Sequence, residues 1–349
     1  MSAPSRGGGF PQPAPAGQEI VAETERGERG WGLGKVNRKK RGYRGRGNQN
    51  RKNKVFSIML VNIRGYKSKD VSLKKVMNKG TPSIVLLNET VLTGNTKVSI
   101  TPYTVLTKNR KEKGGGGILT AVAQQFKDNT VGAGEGEGED EYLVTRIECF
   151  SPALNVINCY GEQRKTSRQE VEAKWGRLCR EMEAIRNRQE FCCLSGDLNK
   201  LVGIGQFGVP GNHKEIYFGG RLLRKLVETG NWFKVNGLGQ EIVKGGPFTR
   251  QDPATGNRSC LDLFVVSAEL LPYVQNLTID SQREMAVTRA VKVGMRFKEV
   301  PSDHFTCILT LTNLPRVQER KVKSSSYGTW KRKEVGTSIK YLQINTVRI

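Results

Sequence analysis

Seven short runs of apolar and β-branched residues punctuate the middle of the chain, and each reads as a strand buried on both faces. They are VFSIMLVN (55–62), SIVLLNE (83–89), YLVTRIECF (142–150), LNVINCY (154–160), EFCCLSG (190–196), LDLFVVS (261–267) and FTCILTL (305–311). Between the fourth and fifth runs the period lengthens. Val171, Trp175, Leu178, Met182 and Ile185 recur at helical spacing, and Ser167 with Glu170 forms a capping box, so a helix is predicted over 167–188 with its tryptophan in the core. A second helix is predicted in GGRLLRKLVETG (219–230), with Leu222, Leu223, Leu226 and Val227 on one face and Gly230 as its stop. Many strands with a few interspersed helices predict an α/β layered domain from about 55 to 314.

Two low-complexity pieces interrupt this pattern. KGGGGIL (113–119) reads as a flexible entry into a strand, and GAGEGEGEDE (132–141) as an exposed hairpin loop whose carboxylates lack the ligand spacing of a calcium loop. Residues 1–54, rich in Gly, Pro, Arg and Lys, show no hydrophobic periodicity and are expected to be disordered, as is most of the basic tail 315–349. Within the first segment, Lys35 to Lys54 carry ten basic residues and no acidic ones, including Lys39, Lys40, Arg41, Arg44 and Arg46. Such a segment serves equally as a nucleic-acid arm or as a solvated linker and nuclear-import signal.

Charge narrows the partners. The 349 residues include 57 Lys and Arg against 33 Asp and Glu, a formal net charge of +24, which favours a polyanion such as nucleic acid or an anionic membrane surface. No secretory h-region and no long apolar run is present, so an intracellular, nuclear protein without a membrane span is expected. Seven cysteines without a CxxC pair, several inside strand runs, fit reduced core thiols better than disulfides or zinc ligands.

The candidate chemistry sits where the apolar runs end. Asn62, Glu89, Tyr160, Asp197 with Asn199, Asp262, and Asp303 with His304 each stand at or beside such an end, where side chains of neighbouring strands converge on one sheet edge. Singly, each has a turn or capping explanation; together, acids, amides, a tyrosine and a histidine do not. Of the two histidines, His213 lies in a loop without an obvious partner, whereas His304 follows a carboxylate and precedes a buried strand. An imidazole that must meet a phosphate oxygen needs a carboxylate to fix its tautomer, and Asp262 is the candidate.

In order, LVNIRG, LLNET, INCYGE, LSGDLN, SCLDLFVVS and PSDHF resemble the successive motifs of the endonuclease/exonuclease/phosphatase superfamily, and most of all the apurinic-type endonuclease domains of non-LTR retrotransposons. The resemblance spans roughly residues 55 to 312. It implies a deoxyribonuclease I-like four-layer sandwich of two mixed β-sheets flanked by helices. It further implies Mg²⁺, with Mn²⁺ as a substitute, at Glu89 with support from Asn62 and Asp303. Asp197 would orient or deprotonate the attacking water, Asn199 and Tyr160 would donate to the phosphate, and His304, held by Asp262, would touch it. The expected activity is nicking of DNA, with RNA as an alternative substrate. A phosphatase or phospholipase of the same superfamily, or a catalytically idle nucleic-acid-binding protein, are the competing readings. The chain departs from the superfamily pattern at Arg64, where several relatives have an acid or amide, and at Gln163, where Asn is common; a basic Arg64 would favour nucleic acid. No YxDD reverse-transcriptase element is present, and a truncated or stand-alone product is expected. Oligomeric state is left open.

Overall fold

The computed structural model describes residues 55–110, 115–136, 138, 140–161, 166–200, 218–294 and 296–317. The basic arm with Lys39, Lys40, Arg41, Arg44 and Arg46 lies outside the described residues, as do Gln163, His213 and the tail beyond Val317. In chain order the first strands are β1 (Phe56–Asn62), β2 (Ile84–Asn88), β3 (Tyr103–Lys108), β4 (Ile118–Ala123), β5 (Thr130–Glu135), β6 (Tyr142–Ile147), β7 (Leu154–Cys159) and β8 (Phe191–Asp197). They are followed by β9 (Trp232–Lys234), β10 (Val243–Lys244), β11 (Arg250–Gln251), β12 (Arg258–Ser259), β13 (Asp262–Ser267), β14 (Val274–Ile279), β15 (Thr288–Val293), β16 (Arg296–Pro301) and β17 (Cys307–Leu311). The α-helices are α1 (Asp70–Gly80), α2 (Arg168–Asn187) and α3 (Phe218–Glu228).

Two mixed sheets carry the fold. One has the order β10-β14-β17-β1-β2-β4-β3, the other β5-β6-β7-β8-β13-β9. Each has a parallel pair near its middle, β1 with β2 and β7 with β8, which explains why these strands are apolar throughout rather than alternating. Successive side chains of a strand point to opposite faces. Phe56, Ile58 and Leu60 of β1 accordingly share a buried cluster with Phe191 and Cys193 of β8, between the sheets. On the other face, Met59 and Val61 pack with Leu73, Val76 and Met77 of α1, while Cys192 and Leu194 pack with Trp175, Leu178 and Met182 of α2 and Leu223 of α3. The layers therefore run helix, sheet, sheet, helix, the four-layer sandwich that the motifs implied.

Helix α2 begins as its sequence predicts: the Ser167 hydroxyl accepts from the Glu170 N–H at 3.2 Å. Gly230, at φ 75°, follows the end of α3. All seven cysteines are free, and Cys159, Cys192, Cys193, Cys260 and Cys307 are buried as packing. The acidic loop differs from expectation. β5 and β6 do form a hairpin, but Asp140 is 3% exposed, because Arg177 of α2 supplies the cation that a buried carboxylate needs.

Gly196 holds the two central strands of the second sheet at close quarters. Its φ is 156°, and a methyl there would collide with the Cys159 carbonyl oxygen of β7. Gly196→Ala is expected to lower stability by about 3 kcal/mol through overpacking. A urea midpoint equal to that of the wild type would contradict this close approach.

Candidate active site

One edge of the sandwich collects the polar strand ends. Asn62 ends β1 and is in parallel register with Asn88 of β2, so Glu89 emerges directly beside it. In the other sheet Asp197 ends β8 and stands opposite Asp262, the first residue of antiparallel β13. His304 reaches the same edge from the turn before β17, which pairs with β1. Arg250 of β11 bridges to His304, and Phe305 N–H donates to the Thr249 carbonyl at 2.7 Å, so the turn is braced by backbone.

The floor of the site is a buried line of three side chains. His304 Nδ1 lies 2.7 Å from Asp262 Oδ2, and His304 Nε2 lies 3.8 Å from Asp197 Oδ2. Burial opposes a charge on His304, yet Asp262 and then Asp197 outweigh it and raise the imidazole to about 9. Burial pushes Asp197 above the usual carboxylate range, with His304 pulling the other way. These three groups come close enough to ligate a metal, their donor atoms lying within 4.8 Å of one another. With Nδ1 turned to Asp262 and Nε2 toward Asp197, His304 completes a carboxylate–imidazole–carboxylate line.

Around this floor the amides clamp the acids. Asn62 Nδ2 donates to Glu89 Oε1 at 2.9 Å and to Asp197 Oδ2 at 2.8 Å. Both partners accept only, so the amide must turn its NH₂ to them, and its oxygen takes the Arg64 N–H at 3.2 Å. Asn62 thus spaces the two carboxylates, and its oxygen faces away from them. The Tyr160 hydroxyl donates to Glu89 Oε1 at 3.1 Å. Asn199 donates its N–H to Asp197 Oδ1 at 3.2 Å and its amide NH₂ to the Gly161 carbonyl at 3.0 Å. Arg64, Glu89 and Asn199 all have left-handed backbones, at φ 44°, 52° and 50°, a local cost of about 1–3 kcal/mol each that clusters at this mouth.

The mouth also shows where a cation fits. Asp303 is buried, its Oδ2 lies 2.9 Å from both Arg64 Nη1 and Arg250 Nε, and its Oδ1 has no hydrogen-bond partner among the described residues. Glu89 Oε2 is 3.8 Å from Arg64 Nε. Two hard carboxylates, one with an orphaned buried oxygen, suit a divalent ion of the Mg²⁺ class. Glu89 and Asp303 fit the implied ion; Asn62 stands behind Glu89 as its hydrogen-bond donor.

The structure therefore brings together Asn62, Arg64, Glu89, Tyr160, Asp197, Asn199, Asp262, Asp303 and His304. It adds residues that the sequence did not single out. Asn88 Nδ2 donates to Asn158 Oδ1 at 2.8 Å, and Asn158 donates to the Leu119 carbonyl at 2.9 Å, so two buried amides tie one sheet to the other. Asn88 Oδ1 accepts the Asp197 N–H at 2.6 Å and fixes the end of β8. Ser302 Oγ donates to the Asn62 carbonyl at 2.9 Å. The available signal was an amide inside an otherwise apolar strand, as in IVLLN and LNVINC.

No protein-family model matches the chain, and no curated protein matches it in sequence. Solved structures do. An AP endonuclease from Leishmania major is 17% identical with a TM-score of 0.56, over 74% of this chain and 88% of that one. The 3′ phosphatase NExo from Neisseria, bound to product DNA hairpin, is 13% identical with a TM-score of 0.55, over 73% and 98%. The endonuclease domain of TRAS1, a telomere-specific non-LTR retrotransposon, is 15% identical with a TM-score of 0.52, over 76% and 100%. At such identities the likeness is one of fold: the chain shares the two-sheet α/β architecture of these solved structures, the architecture that the resemblance of its motifs implied.

Proposed function

We propose that the chain is a metal-dependent phosphodiester hydrolase that nicks DNA and leaves a 3′-hydroxyl. The observation that carries this reading is the buried Asp262–His304–Asp197 line, ending beside Glu89 on a single sheet edge. Asp197, held by Asn62 and Asn199, takes the proton of the attacking water as the new oxygen–phosphorus bond forms. The bond from phosphorus to the 3′ oxygen breaks in line with that attack, and the released oxygen takes a proton from solvent water to become the 3′-hydroxyl, while Asp197 returns its proton to solvent. His304, kept charged by its two carboxylates, meets the negative charge that builds on the phosphate oxygens. Asn199 places a further donor at the same mouth, since its NH₂ carries a second proton beside the one given to Gly161, while the Tyr160 hydroxyl orients Glu89. A Mg²⁺ or Mn²⁺ ion held by Glu89 and Asp303 would supply charge neutralisation at the phosphate.

Charge supports nucleic acid as the substrate class. The hairpin β15–β16 grows directly out of the site: Ser302 N–H donates to the Val287 carbonyl at 3.0 Å, one residue before Asp303. Its register places Arg289, Arg296 and Lys298 on one face, all exposed. Lys69, buried nearby, is lowered to about 8, first by burial and then by Arg289 and Arg64, so the three cations share one region. A basic ridge leading from the hairpin to the acids fits a phosphate backbone crossing the mouth. Replacing Arg289 and Lys298 together by Ala is expected to flatten the slope of log affinity against log salt by about two, near one unit for each phosphate that is no longer neutralised. An unchanged slope in DNA-binding titrations would remove the hairpin from the interface.

Product analysis tests the reaction itself. With Mg²⁺, a duplex DNA cut by the full chain should yield ends that a polymerase extends without further treatment. Release of inorganic phosphate from inositol phosphates, with DNA left whole, would instead assign the site to a phosphatase.

A further inference from the structure

The guanidinium of Arg64 lies where the two candidate metal ligands face the mouth. Nη1 is 2.9 Å from Asp303 Oδ2, and Nε is 3.8 Å from Glu89 Oε2. Its position is built rather than incidental. Ile63, Gly65 and Tyr66 donate their N–H groups to the carbonyls of Asn88, Glu89 and Thr90 at 2.7–2.9 Å, which pins the Arg64 turn alongside the Glu89 turn. The Asn62 amide oxygen holds the Arg64 N–H, and the side chain is 52% exposed, so it can leave toward solvent without breaking the core. Asp303 meanwhile keeps a buried Oδ1 without a partner among the described residues, although Arg64 and Arg250 both serve its other oxygen. An arginine fork delivers donors in fixed directions and leaves this oxygen unserved, whereas a compact ion is not so constrained.

We propose that Arg64 is a resident cation that competes with the divalent ion for Glu89 and Asp303, so that binding of the ion displaces or weakens the Arg64 bridge. The inference rests on the reading of those two acids as the ion's ligands. Arg64 neutralises the acid pair while no ion is bound, and its charge lowers the affinity of the site for an ion. Once released, the exposed guanidinium stands beside the substrate path, where it can receive a phosphate oxygen.

The test is a titration of the purified full chain with Mn²⁺ alone, with free ion counted by its electron paramagnetic resonance signal. Removing one positive charge a few ångströms from a divalent ion in a half-exposed site strengthens binding about ten-fold. Arg64→Gln should therefore bind Mn²⁺ about ten-fold more tightly than the wild type, and Arg64→Lys, which keeps the charge, should stay within about two-fold. Equal or weaker Mn²⁺ binding by Arg64→Gln would overturn the proposal, as would tightening of the same size in Arg64→Lys. The proposed reaction is judged separately. Metal-dependent nicking by a wild type whose Mn²⁺ affinity does not respond to Arg64→Gln refutes the competition and leaves the nuclease standing; tightened binding without any nicking does the reverse.

Discussion

Asp197→Asn is expected to reduce phosphodiester cleavage by at least about 10³-fold in single-turnover assays, the range that a positioned general base contributes. The substitution keeps the shape and removes only the basic oxygen. Asn62 Nδ2 and Asn199 N–H now donate to the two carboxylate oxygens of Asp197 at 2.8 and 3.2 Å, and an amide oxygen still accepts one of them. Because burial makes ionisation of Asp197 unfavourable, its carboxylate costs stability at neutral pH, and the amide should leave the chain folded by circular dichroism. Retention of even a tenth of the wild-type rate in the folded variant would remove Asp197 from the role of base.

The second large effect is on stability against pH. The folded-state pKa of His304 is raised to about 9 from an ordinary 6.5, so the folded chain holds this proton more tightly than the unfolded one. The resulting stabilisation is fully present below about pH 6.5 and is lost as pH rises through about 9, a change on the order of 3 kcal/mol. Asp197, also raised, has the same sign: its contribution declines as pH rises above the ordinary carboxylate range. Urea midpoints measured at pH 6.5 and 9 should fall for the wild type and fall much less for His304→Gln. Equal pH dependence in both proteins would mean that His304 is not held as an imidazolium. Cleavage should decline over the same alkaline limb, since loss of this proton removes the charge facing the phosphate.

Much of the fold was legible because the central strands are buried on both faces, which leaves uninterrupted apolar runs such as FSIMLVN and FCCLSGD. The site was legible for a related reason. Polar residues that end an apolar run have no packing purpose, so Asn62, Asp197 and Asp262 stood out against their own strands. What escaped was set by tertiary structure. In α1, Leu73, Val76 and Met77 form a narrow buried face interleaved with Lys74, Lys75 and Lys79, so the apolar period was weak. The β15–β16 hairpin is mostly exposed, and its alternation carries cations where a core strand would carry apolar groups. The Arg64–Asp303 pair joins residues far apart in sequence, and no local pattern encodes it. Asn88 and Asn158 lie within apolar runs that the sequence marks as strands, but only the packing of one sheet on the other shows that each amide serves the opposite sheet.

Nicking of supercoiled plasmid by the purified full chain, in Mg²⁺ and in EDTA, with Asp197→Asn in parallel, decides whether this edge of the sandwich is a nuclease centre. The expected result is conversion to open circles by the wild type in Mg²⁺ alone, lost in EDTA and in the variant. Intact plasmid in every lane while the wild type still binds DNA, or nicking that survives in Asp197→Asn, would contradict the site and its chemistry.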